Sequence, residues 1–192
     1  ARRVQSGLKS GAFFRPLRPG TGERMFRPGH YGVTLTLYAP VGCWLVATGD
    51  PVAAYLGGAG ALWLTMSPDW DSRVPFITHR GSTHTLLFAA LLGAAAWVAA
   101  TLAGVGTTPF GPTDLRTFAA GVASFAVLSH LVADLLTPMG VAVFWPLTSR
   151  RYTASLVRAS NRTANYLLFA LGVFATAVAA YLGLSRYGGG SY

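Results

Sequence analysis

Charge is scarce in this chain, and cysteine is nearly absent. Asp, Glu, Lys and Arg make up 11% of its 192 residues, where a soluble domain carries about 25%. That deficit, with 52% hydrophobic residues and a mean hydropathy of +0.44, points to an integral membrane protein. The single cysteine, Cys43, lies in an apolar run, which excludes a disulfide framework and a thiolate zinc cluster. Any metal here must be held by histidine and carboxylate.

Acid is scarcer than base: six Asp/Glu face 15 Lys/Arg, a net charge of +9. The arginines are spread along the chain in positions that suit membrane topology, so nucleic acid is set aside as a partner. Residues 1–29 carry seven of the Lys/Arg, with Pro16, Pro19 and Pro28, and show neither the apolar core nor the small-residue cleavage site of a signal peptide. They read as a flexible basic arm suited to a cytosolic protein partner. Residues 30–184 read as the membrane domain and 185–192 as a polar Gly/Ser tail.

What is plentiful is apolar sequence. Five runs stand out, at 33–49, 52–66, 85–105, 117–136 and 166–184. A span needs about 17–25 residues; the last three qualify, while the first two pass only as a tight pair, joined near Asp50 and kinked at Pro40. "GVAVFWPL" (140–147) is too short to cross and reads as re-entrant or interfacial. The expected fold class is all-α, a helical membrane bundle of about five transmembrane helices. With the arm inside, loops 67–84 and 137–165 are inside too. That puts 13 of the 15 Lys/Arg on the cytoplasmic side and leaves Arg116 and Arg186 outside, as positive-inside asymmetry requires. The expectation is a multi-pass inner-membrane protein, N-terminus in, C-terminus out.

On that topology the four histidines fall at one face. His30 precedes the first run, His79 and His84 lead into the third, and His130 ends the inner half of the fourth. Asp69, Asp71 and Asp134 join them, while Asp50 and Asp114 fall outside. His130 and Asp134, four apart, share a helix face. Asp69 and Asp71 share a side if that stretch is extended, and Pro68 and Pro75 around them argue against helix. Intramembrane ionisable groups usually face a partner or cavity. Imidazole with carboxylate suits zinc first, then manganese or iron, better than calcium.

"GHYG" (29–32), "PDWD" (68–71), "HRGSTHT" (79–85) and "HLVADLLTPMGVAVFWPL" (130–147) resemble the YdjM-like family of membrane-bound, predicted metal-dependent hydrolases, also described as LexA-binding and inner-membrane-associated. The likeness covers residues 29–147; Trp70 stands where a smaller aliphatic residue is expected. It implies a prokaryotic inner-membrane metallohydrolase. "HLVADLLTPMG" is also similar to the HxxxDxxxP helix of zinc-dependent phospholipase C and nuclease enzymes, which tilts the substrate toward phosphoesters.

The expected activity is hydrolysis by metal-activated water at the cytoplasmic membrane face, on a phosphoester or lipid. One or two divalent ions are held by subsets of His30, Asp69, Asp71, His79, His84, His130 and Asp134. Asp69 or Asp71 stays off the metal to take a proton or orient a histidine. Arg80 is placed to pair with a substrate oxygen, or else anchors at the headgroups. Ser82 and Thr83 are expected to cap the third helix. The rival reading is a membrane scaffold or regulator with a structural metal. A transporter is disfavoured, because the outer halves of the third to fifth runs contain no ionisable residue.

Overall fold

Proline and short hydroxyl or carboxylate side chains set where each helix begins. The computed structural model describes residues 25–73 and 81–189; most of the basic arm, and His79 and Arg80, lie outside them. α1 (Arg27–Ala47) starts with Pro28 in its first turn and continues through Pro40. α2 (Pro51–Leu64) starts on Pro51, whose missing N–H costs nothing at a helix start. α3 (Leu86–Leu102) is capped by Thr85, which accepts a hydrogen bond from the Phe88 amide at 3.0 Å. Thr85, not Ser82 or Thr83, is therefore the cap. α4 (Leu115–Leu135) is capped by Asp114, accepting from the Thr117 amide at 2.8 Å. A short hairpin, β1 (Pro109–Phe110) with β2 (Thr113–Asp114), precedes it. α5 (Arg162–Gly189) closes the fold and runs on through much of the stretch read as a tail.

These starts shift the expected boundaries. α1 begins ahead of its apolar run, so His30 is helical rather than in a preceding loop. The Thr85 cap and the positive-φ Gly104 hold α3 to 17 residues. Pro68–Arg73 forms a 3₁₀ turn, not the extended stretch expected. Its backbone bonds are local: the Trp70 amide donates to the Ser67 carbonyl at 3.2 Å, the i to i+3 pattern of a 3₁₀ turn. Among the described residues, only α4 and α5 are long and apolar enough to cross a membrane by themselves.

Helix directions follow from close contacts. α1 and α5 run parallel: Gly29 faces Asn165, Gly32 meets the Leu168–Phe169 backbone, and Gly183 meets Val46. α1 and α2 are antiparallel, with Thr34 on Thr65 and Tyr38 donating to the Ala54 carbonyl. α4 runs alongside α2 in the same direction, Gly57 near Phe118 and Gly60 near Val122. α3 opposes α4, Gly93 lying on Ser124 and the Arg116 guanidinium over the Trp97 ring. All five helices thus alternate in direction along the chain. One end gathers the starts of α1, α3 and α5 and the finish of α2 and α4; it is called here the histidine end.

The segment after α4 folds back on that end. Ala154, Leu156 and Val157 donate backbone hydrogen bonds to the Leu135 and Leu136 carbonyls, and Leu86 donates to Val143. These bonds satisfy carbonyls that the end of α4 leaves open. Val141 and Val143 pack with Ala89, Val127 and Leu131 in the main apolar cluster, whereas Phe144, Trp145 and Leu147 of the same segment are exposed. α5 is covered on one side only, with Leu167, Leu171, Phe174 and Tyr181 exposed. An apolar face of that extent is what a lipid-facing helix presents.

Helix approach on glycine makes a test. A Cβ at Gly32 would run into the α5 backbone at Leu168, while one at Gly121 meets nothing. Gly32→Val is expected to cost about 1–3 kcal/mol and lower the thermal midpoint of the purified protein by several degrees, with Gly121→Ala unchanged. Equal midpoints for the two variants would remove the α1–α5 crossing described here.

Candidate metal centre

Four elements deliver one cluster. α1 supplies His30, the 3₁₀ turn Asp69 and Asp71, the residue just before the α3 cap His84, and α4 His130 and Asp134. The i, i+4 spacing puts His130 Nε2 at 3.5 Å from Asp134 Oδ2, as expected. His84 Nε2 is 3.2 Å from His130 Nε2, 3.3 Å from Asp69 Oδ1 and 3.5 Å from Asp134 Oδ2. Asp69 Oδ1 is 3.6 Å from His130 Nε2. His30 stacks on His130, with centroids 4.1 Å apart and planes within 5°. Its Nε2 lies 4.0 Å from Asp134 Oδ1.

These separations are a test of fit. Bonds of ~2.0–2.2 Å in tetrahedral geometry place neighbouring donor atoms roughly 3.3–3.6 Å apart. The five contacts among His84, His130, Asp69 and Asp134 span 3.2–3.6 Å. Among the described residues two donor triads can hold an ion, His30–His130–Asp134 and Asp69–His84–His130. Because they share His130, the cluster reads as one site. His84 and Asp69 fit a divalent cation in their protonation states as well. Burial lowers the proton affinity of His84 against the pull of Asp69 and Asp134, which keeps its ring neutral. Burial of Asp69 works against its charge, but hydrogen bonds from His130 and His84 hold the carboxyl well below the usual carboxylate range.

The 3₁₀ turn separates the roles of its two aspartates. At three residues per turn, positions two apart point to different sides. Asp69 meets Nε2 of His84, while Asp71 Oδ2 lies 3.5 Å from Nδ1, on the far edge of the ring. Thr83 bridges that edge, its hydroxyl 2.8 Å from Asp71 Oδ2 and 3.0 Å from His84 Nδ1. Thr83 donates to the carboxylate, so its oxygen is free to accept from Nδ1–H; a metal ion held at Nε2 would select that tautomer. Asp71 thus stands behind a ligand, the arrangement that orients metal-binding histidines.

A second polar layer lies beneath. Thr34 Oγ1 is 2.8 Å from Thr65 Oγ1 and 2.9 Å from Ser129 Oγ, all buried. It ties α1 and α4 to the end of α2, which leads into the turn bearing Asp69. Sequence reasoning missed this layer and the bridging role of Thr83; the only signal was hydroxyl residues beside histidines, a pattern shared by ordinary helix caps. His30, Asp69, Asp71, His84, His130 and Asp134 are all brought together. His79 and Arg80 fall outside the described residues.

The fold and cluster define a predominantly helical protein with membrane-length helices and a buried His/Asp group able to hold a metal ion. The chain belongs to the YdjM inner membrane protein family, which matches residues 25–189. No curated protein and no solved structure matches it.

The Thr83 bridge has a measurable consequence. Thr83→Val is expected to weaken zinc binding by about 10–100-fold, read by chelator competition, with Thr83→Ser close to wild type. Identical affinity in Thr83→Val would show that the hydroxyl does not orient His84.

Proposed function

We propose that the protein is a five-span membrane hydrolase that uses a divalent cation, zinc before manganese or iron, to cleave a phosphoester at the cytoplasmic membrane face. The alternating helix directions support five spans, with α1–α3 completing the bundle around the two membrane-length helices. The arginine asymmetry supports an inside N-terminus and an outside C-terminus, which puts the histidine end on the cytoplasmic side. The basic arm then faces the cytosol, where a protein partner can meet it.

The observation that carries the hydrolytic reading is uneven burial of the cluster. His84 and His130 are 0% exposed and Asp134 1%, whereas the Asp69 side chain is 21% exposed. A structural site closes its shell; a catalytic one keeps an open position. Here the opening lies at a carboxylate. His30, His84, His130 and Asp134 would hold the ion, which when bound supplies Lewis-acid polarisation and makes water a better nucleophile near neutral pH. Asp69, at the rim, is the carboxylate placed to take the proton from the attacking water. Water oxygen bonds to phosphorus, the ester P–O bond breaks, and that proton completes the departing alcohol. Asp71 is too deeply buried to meet substrate; through Thr83 it keeps the His84 Nδ1 proton in place. Arg80 is assigned to the substrate's anionic oxygens.

The test is metal analysis of detergent-purified protein together with a phosphodiesterase screen. Wild type is expected to retain about one divalent ion per chain and to turn over with chelator-sensitive kinetics. His130→Ala should lose the ion and Asp69→Asn at least about a hundredfold in rate, within the contribution of a positioned acid–base group. Metal retained without turnover on any ester would instead make the site structural and the protein a scaffold. No metal in wild type would end both readings.

A further inference from the structure

Apolar depressions lie on both sides of α1 and α2, two against α4 and two on the side facing α5. α5 packs closely along α1 but makes almost no contact with α2. The gap between α2 and α5 opens a trough of about 460 Å³, floored by Ala39, Gly42, Gly58 and Ala59 and flanked by Leu62 and Ala180. That volume lies in the range of about 300–1,000 Å³ usual for ligand sites, yet the side chains with polar atoms that line it are Tyr38, Tyr55 and Thr176 alone. Along α1 the trough runs from Leu35 to Val46. A second depression, lined by Tyr31, Leu62, Trp63 and Phe169, shares Leu62 with it and carries it to the residue beside His30.

From this continuity we propose that the trough binds the hydrocarbon chain of a lipid phosphoester whose headgroup lies at the histidine end. The inference rests on the hydrolase reading for what becomes of the headgroup, but not for the binding of the chain. From Tyr31 to Val46 the rise of α1 is about 22 Å, at 1.5 Å per residue. One leaflet offers about half of a ~30 Å hydrocarbon core. The trough therefore passes the bilayer midplane and selects for long chains. Its polar end suits an anionic headgroup: Arg27, one turn from Tyr31, and Arg162, at the start of α5, are both exposed there. Guanidinium groups pair with phosphate oxygens, and the aromatic rings of Tyr31 and Trp63 sit where such residues mark a membrane interface. Trp63 lies six residues before Asp69, so the chain leaves the headgroup beside the turn carrying the partly exposed carboxylate. Small side chains line the floor because larger ones would fill it.

The test uses the full chain in phospholipid nanodiscs with a photoactivatable long-chain phosphatidic acid. Cross-links are expected to concentrate on α1, α2 and α5 around the trough. Ala59→Trp or Ala180→Trp should reduce them at least tenfold while metal content stays at the wild-type level. Leu91→Trp, on the exposed face of α3, should leave them unchanged. Should a tryptophan variant misfold, Thr176→Leu narrows the same trough. In turnover, the trough variants should lose dioleoyl substrate and keep soluble dihexanoyl substrate. Cross-links spread evenly over all lipid-facing helices, or insensitive to the trough variants, would overturn the proposal. So would a dimer that dissociates in those variants, since the trough would then be a subunit interface. If wild type cleaves neither substrate while the cross-links still map to the trough, the hydrolase reading fails and the chain site stands.

Discussion

Burying a carboxylate costs several kcal/mol unless other groups replace its water, and Asp71 and Asp134 are both almost wholly buried. What replaces water at Asp134 is three imidazoles, His30, His84 and His130, drawn from separate elements. At Asp71 it is the Thr83 hydroxyl and the far nitrogen of His84. Each group is therefore the condition for burying another. The mutual dependence explains why four elements end at one point, and why the cluster pre-forms donor spacings that suit a cation. A cation would complete the compensation, because opposite charge in a low-dielectric pocket offsets the repulsion between converging carboxylates.

Such a cluster needs rigid supports, and the bundle provides them in two ways. Glycines at Gly32 and Gly183 bring α1 and α5 to backbone contact, a mode of packing that works without a hydrophobic driving force between helices. The buried hydroxyls Thr34, Thr65 and Ser129 then lock α1, α2 and α4 in register directly beneath the histidines. In apolar surroundings an unpaired hydroxyl is costly, so this layer admits only helix positions that keep all three in contact. Displacing α2 would break the layer and carry the turn bearing Asp69 with it.

How much of this was legible in the sequence depended on periodicity. The His130–Asp134 pair follows from helical repeat alone, and the gathering of His30, Asp69, Asp71, His84 and Asp134 at one end followed from the order of apolar runs and arginines. Helix ends were less legible. Apolar runs mark burial and not hydrogen bonding, so α1 reached back over Pro28 to include His30, and α3 stopped at the limits set by Thr85 and Gly104. The division of labour between Asp69 and Asp71 was hidden for a related reason. Their two-residue spacing gives one side in a strand and different sides in a 3₁₀ turn, and flanking prolines permit both.

The placement of polar groups also decides what kind of chemistry the bundle can support. A proton or metal pathway needs ionisable groups through the depth of the bundle. Below the histidines the buried polar side chains of the described residues are hydroxyls, the Thr34–Thr65–Ser129 layer and then Tyr38 held on the Ala54 carbonyl, set among Ala123, Ala126, Ala61 and Val127, all buried. At the opposite end the Asp114–Arg116 pair, 3.3 Å apart, caps α4 and leads nowhere inward. Groups gathered at one face, with Asp69 partly exposed among them, suit the proposed reaction on something that arrives at that face. In that proposal the hydrocarbon trough ending beside the same face supplies a means of arrival from within the bilayer, so the dead-ended polar path and the long apolar one describe the same device from its two sides.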